Sequence, residues 1–175
     1  MSLEQINLSY VPMEDRMLLA ATGRVASGLA EYRVWLTRRY VRLLWGALEK
    51  LVSESSAADP RVPEPARAAV REFAEQAALS SADFSTPYTP QVTERPLGEA
   101  PLLVSRIQLK NLPDGKNVLA LHDQQGKGLT MTLEIPVVHS LRKLLHDTAE
   151  KAEWNLGLSL YAQAAAPVGP KPTVN

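Results

Sequence analysis

Arg38, Arg39 and Arg42 crowd into a short span of the chain. Arg38 and Arg42 are four apart, which places them on one face of a helix. A helix that starts here exposes N–H groups and the positive end of its dipole, where carboxylates are favoured over cations. Guanidinium groups beside such donors make an anion-seeking spot. The chain's own acids can satisfy it, with Glu14, Asp15 and Glu31 as candidates; the alternative is an external carboxylate or phosphate. Trp35 lies just upstream. On a strand it shares a face with Glu31 and Arg33, opposite Tyr32 and Val34. There it either packs into a second layer or a contact between copies, or stands exposed as an anchor that stacks a base or holds a peptide.

Other chemistry is sparser. The histidines are His122, His139 and His146. His139 and His146 fall on one helical face, but their separation along the axis is roughly 10 Å, too long to share one metal. His146 and Glu150 are better spaced, although a lone pair of that kind is usually a solvated helix face. His122 and Asp123 are neighbours in a strand and point to opposite faces. No Gly-x-Ser-x-Gly elbow, phosphate loop or calcium-binding acidic ladder occurs, and Gly126-Lys127-Gly128 is a hairpin turn. No metal or other cofactor is expected.

Composition narrows the class. The chain has 175 residues, 45% hydrophobic and 22% charged, with a formal net charge of zero. That suits one soluble globular domain. Nucleic-acid binders usually carry a basic excess, so zero net charge makes nucleic acid an unlikely partner. Cysteine is absent, which excludes disulfides and thiolate chemistry. Neither a signal peptide nor a membrane-spanning run is evident, so no membrane association and a cytoplasmic location are expected.

The elements that must position the arginines begin with Glu31–Leu36, where alternation predicts a strand. Thr37 is a suitable N-cap. Val41, Leu44, Trp45, Leu48, Leu51 and Val52 then recur at helical spacing, and the helix is expected to dissolve at Ser53-Glu54-Ser55-Ser56. Strands are predicted around Ile6–Tyr10 and Met17–Thr22, with a loop or long hairpin tip between Gly23 and Gly28. After a connector at 53–65, a helix from Pro65 carries an Ala66, Ala69, Val70, Phe73 and Ala77 stripe. Such a face contributes little on burial, so this helix should be peripheral or mobile. The proline-rich segment from Ser80 to Pro101 is expected to be a surface strap or partly disordered. Strands follow at Leu102–Leu109, Asn117–Asp123 and Leu129–Ile135, then a helix opened by Pro136, then a short strand at Asn155–Tyr161.

The order strand, strand, strand, helix therefore occurs twice. The fold class expected is α+β: two β-β-β-α halves with antiparallel meanders, related by a pseudo-two-fold, plus a peripheral Ala-rich helix. Residues 1–162 form a single domain, with halves 1–56 and 101–162 and the helix and strap of 57–100 between; 163–175 is expected to be a disordered tail. Each meander has one apolar face, and its own helix is the nearest cover.

The run Glu31-Tyr32-Arg33-Val34-Trp35-Leu36-Thr37-Arg38-Arg39, with Glu14-Asp15-Arg16-Met17-Leu18-Leu19 upstream, resembles a stretch of uncharacterised bacterial proteins. The resemblance implies a bacterial, cytoplasmic origin and no known activity, so it transfers no functional residue. Arginines at a helix start, without catalytic signatures, favour a non-enzymatic interaction or adaptor module binding an acidic protein segment through Trp35, Arg38, Arg39 and Arg42. The alternatives are a nucleic-acid or phosphate ligand at the same spot, or an enzyme with an unmarked site near His122 or His146. Association between copies is possible on either reading.

Overall fold

The computed structural model describes residues 3–57, 63–112 and 116–160. Three antiparallel strands open it: β1 (Leu3–Val11), β2 (Arg16–Val25) and β3 (Gly28–Leu36). The expected long tip between β2 and β3 is a tight turn. Gly28 closes it at φ +130°, and a Cβ there would lie 2.8 Å from the Thr93 hydroxyl, so both backbone and space require glycine.

Helix α1 (Arg38–Ala57) follows one residue after β3, and the Thr37 carbonyl accepts the Val41 N–H at 2.9 Å. It continues through Ser53–Ser56, where an end was expected. Lys50 and Glu54 pair across one turn at 3.7 Å, and Glu54 also accepts a bond from Asn111 at 3.0 Å, which holds the polar last turn in place. Helix α2 (Arg67–Ser81) comes next. Strand β4 (Leu102–Leu103) joins the first sheet parallel to β3, giving the order β1-β2-β3-β4. A second, antiparallel sheet comprises β5 (Arg106–Asn111), β6 (Asn117–His122) and β7 (Gly128–Leu133), and α3 (Ile135–Lys151) follows.

The fold is thus α+β, with the β-β-β-α order present twice. The strand expected over 102–109 is split. Val104 N–H still bonds the Trp35 carbonyl at 3.1 Å, whereas Ser105 N–H bonds the His122 carbonyl at 2.9 Å, so the chain changes sheets between them. The strand expected from Asn155 is not formed over 155–160: Glu153 and Asn155 have φ of +54° and +49°, and Trp154 N–H folds back to the Ala149 carbonyl. Tyr161 and the expected tail lie outside the described residues.

The helices do not stay with their own meanders. α1 lies against β5 of the second sheet, α3 lies against β1 of the first, and the two helices meet. A single junction residue leaves no room to fold back over the strand just completed, so each helix runs on over the neighbouring half. One cluster of buried side chains results. It draws Leu19, Val34 and Leu36 from the first sheet, Leu119, Leu129 and Met131 from the second, and Leu44, Leu48, Leu141 and Leu145 from the helices. Each fully buried leucine contributes about 2 kcal/mol.

Helix α2 docks with the opposite face from the one its apolar spacing indicates. Ala69, Val70, Phe73 and Ala77 are exposed, with Phe73 at 72%, while Glu75 and Ala78 are buried. Glu75 is drawn inward by Arg142 of α3, which overrides the weak gain from burying alanines. The proline-rich segment is a surface strap pinned along β3. Thr93 N–H bonds the Leu29 carbonyl at 2.8 Å, and Glu31 N–H bonds the Glu94 carbonyl at 3.0 Å. On the outer face of the sheet, buried Glu31 accepts bonds from Tyr88 at 3.1 Å and Arg95 at 2.9 Å.

Candidate functional site

The start of α1 projects its arginines beside the turn that follows α3. Arg38, Arg39, Arg42 and Leu43 line a hollow of about 700 Å³ together with Trp154, Asn155 and Leu156. The left-handed backbone at Glu153 and Asn155 sets this wall, because it turns the chain out of α3 and lays the Trp154 indole across the front of α1.

The chain's own acids divide unequally. Asp15, at φ +45° in the turn between β1 and β2, lies 3.4 Å from the Arg38 guanidinium. The same carboxylate oxygen accepts hydrogen bonds from the Trp154 indole N–H and the Tyr10 hydroxyl, each at 3.0 Å. These bonds, the indole first, hold the Asp15 carboxyl below its ordinary range, and the same carboxylate pushes the Tyr10 phenol up. Arg38 also lies over the Trp154 ring, 5.3 Å from its centroid, and Tyr10 meets that ring edge-on at 5.6 Å. Arg38 is therefore a tethered side of the hollow. Glu14 pairs instead with Arg16 at 3.3 Å, and Glu31 with Arg95 at 2.9 Å on the outer face of the sheet. Among the described residues, Arg39 and Arg42 form no ion pair. Both are exposed, as is Leu43 beside them.

Trp35 stands elsewhere. It is half-buried, paired with Leu18 of β2 and Leu103 of β4, and does not line the hollow. Three of the four residues singled out by the sequence are thus together, and a different tryptophan completes the wall. Trp154 was legible only as an aromatic beyond the end of a helix.

A second polar constellation is internal. Arg142, 3% exposed, donates to Glu75 at 2.9 Å and to Glu49 of α1, and lies 5.1 Å from the Trp45 ring centroid. Burial pushes the Glu75 carboxyl up, and burial with the nearby Arg142 charge lowers His139 to about 4. His139 is hence neutral near pH 7. Its Nδ1 accepts from Arg142 at 3.4 Å, so the 3.9 Å approach of Glu75 to the same nitrogen is not an ion pair. This cluster fastens α2 to α1 and α3; Arg142, Glu75 and His139 are buried, while Glu49 lies at its partly exposed rim.

The other histidines have separate partners. His122 Nε2 meets the Thr130 hydroxyl at 3.1 Å, while Asp123 caps its own turn by accepting the Gln125 and Lys127 N–H groups, each at 2.9 Å. His146 meets Asp147 at 3.2 Å, and Asp147 is bridged to Lys143 at 2.7 Å. Among the described residues no group of three or more His, Asp or Glu could hold a metal ion, and no helix is long and apolar enough to cross a membrane. No protein-family model matches the chain, and no curated protein is significantly similar to it.

Proposed function

We propose that this protein is an interaction module whose α1 hollow binds an acidic segment of a partner protein that also carries an apolar side chain. The observation that carries the reading is that Arg39 and Arg42 share one concavity with Leu43, while Asp15, the acid paired with Arg38, is spent on Arg38, Trp154 and Tyr10. Guanidinium groups offer forked donors suited to carboxylates. Exposed Leu43 and half-buried Leu156 supply apolar contact, with the buried Trp154 ring behind them, which favours a peptide over a bare ion. A formal net charge of zero supports a protein partner over nucleic acid.

Calorimetry with a synthetic Glu/Asp peptide containing a central leucine tests this, against the same peptide with lysines for acids, an oligonucleotide and inorganic phosphate. The acidic peptide should bind, and the Arg39→Ala/Arg42→Ala double variant should lose affinity by about tenfold or more, each charged hydrogen bond contributing about 1.5–3 kcal/mol. Equal affinity of the double variant, or preference for the oligonucleotide, overturns the reading.

A further inference from the structure

The outer edge of β1 ends the first sheet, and no described strand pairs with it. Long open edges invite pairing, and proteins commonly blunt them with lysine, proline or a bulge that twists them away. β1 reads LEQINLSYV, without lysine, arginine or proline; its one register shift against β2 lies at its start, between Leu3 and Gln5, and Gln5–Val11 is regular. Its Glu4 is already engaged by Arg24 of β2. The edge forms the floor of a groove of about 730 Å³, between the strap at 82–88 and helix α3, and the consecutive residues Leu3–Leu8 all line it. Val137 and Leu144 of α3 line one side and Phe84 and Tyr88 of the strap the other, with the Lys143 ammonium 5.7 Å from the Phe84 ring centroid.

The charges in this groove are largely spoken for. Asp147 is bridged to Lys143 at 2.7 Å, and Asp83 accepts bonds from Ser85 and Thr86 at 2.5–3.1 Å. Lys151, at the end of α3, is exposed and has no described carboxylate partner. A second copy of the chain fits poorly. Paired edge strands run about 4.8 Å apart, whereas helix axes pack no closer than about 8 Å. α3 packs on β1 itself, and its Thr148 hydroxyl reaches the Leu8 carbonyl at 3.5 Å. A symmetry-related α3 would have to occupy nearly the same space.

We infer that this groove takes a single extended segment of a partner protein, which adds as a strand beside β1, sets alternate apolar side chains between Leu144 and Phe84, and places an acidic residue near Lys151. Backbone bonds to β1 would supply affinity and the walls specificity. This surface is separate from the α1 hollow: no residue lines both.

The probe is a blocked synthetic peptide of about seven residues, alternating valine and threonine and ending in glutamate. It is added to the full chain and followed by amide hydrogen exchange and calorimetry. Binding should slow exchange at alternate residues of β1. N-methylation of one alternate set of peptide amides should weaken binding by about tenfold or more, methylation of the other set should not, and Lys151→Glu should weaken it several-fold. The Arg39→Ala/Arg42→Ala variant should bind this peptide as the parent does, which separates failure here from failure of the α1 hollow. Absence of binding, indifference to which set is methylated, or protection of β1 through dimerisation of the chain alone overturns the inference.

Discussion

Arg142 of α3 reaches Glu75 of α2 at 2.9 Å, and this bond decides which face of α2 turns inward. Removing the guanidinium leaves a buried carboxylate without its counter-charge. Arg142→Ala should cost about 3–5 kcal/mol in urea denaturation. Glu75→Gln, which keeps the shape and leaves Glu49 to Arg142, should cost less, and a reversed ranking would remove the tether from the account.

Histidine 139 gives the same cluster a pH signature. Its folded value is lowered from 6.5 to about 4, so between those values the unfolded chain binds the extra proton and stability falls as pH falls. Glu75 acts with opposite sign: its raised folded value means that stability falls as pH rises above 4.5. Comparing the parent with His139→Gln isolates the histidine from Glu75, Glu49 and the two nearby arginines, Arg71 and Arg142. The parent should lose on the order of 2 kcal/mol more than the variant on going from pH 7 to pH 4.5, read from urea midpoints. Identical pH profiles would show that His139 is not held neutral.

The Asp15 tether limits the α1 hollow. Asp15→Asn keeps an oxygen for Trp154 and Tyr10 and suits the left-handed backbone, but removes the charge that holds Arg38. Its affinity for the acidic peptide should rise by about two- to fivefold, with a steeper fall on adding salt, because a further guanidinium is released. Unchanged affinity would place Arg38 outside the contact.

The outward stripe of α2 is open to a direct check. Phe73→Ser should shift stability by less than about 0.5 kcal/mol, as expected for a surface position, whereas Ala78→Asp should cost several times that. A large loss from Phe73→Ser would mean that the stripe packs inward after all.

Much of the fold was legible because period and punctuation agree. Leu129, Met131 and Leu133 are buried while Thr130 and Thr132 are exposed, and the junctions at Thr37 and Glu134 each span one residue. Legibility failed where tertiary contacts outweighed local pattern. The spacing of Ala69, Val70 and Phe73 indicated a buried stripe, yet a distant arginine drew the Glu75 face inward. Leu156, Leu158 and Leu160 alternate like a strand, but the left-handed residues at 153 and 155 redirect the chain before pairing can begin. At the candidate site, the arginine spacing was visible and the allotment of Asp15 to Arg38 was among the options. The replacement of Trp35 by Trp154 was not, since nothing local brings residues over a hundred positions apart together.

The exchange of helices between the two meanders has a topological consequence. Each sheet depends on the opposite end of the polypeptide for its lid, so neither half excised at the strap would keep a dry interior. Separately expressed N- and C-terminal fragments should be sticky and poorly structured alone, and should reconstitute when mixed, much as an interlocked clasp closes only when both hooks are present.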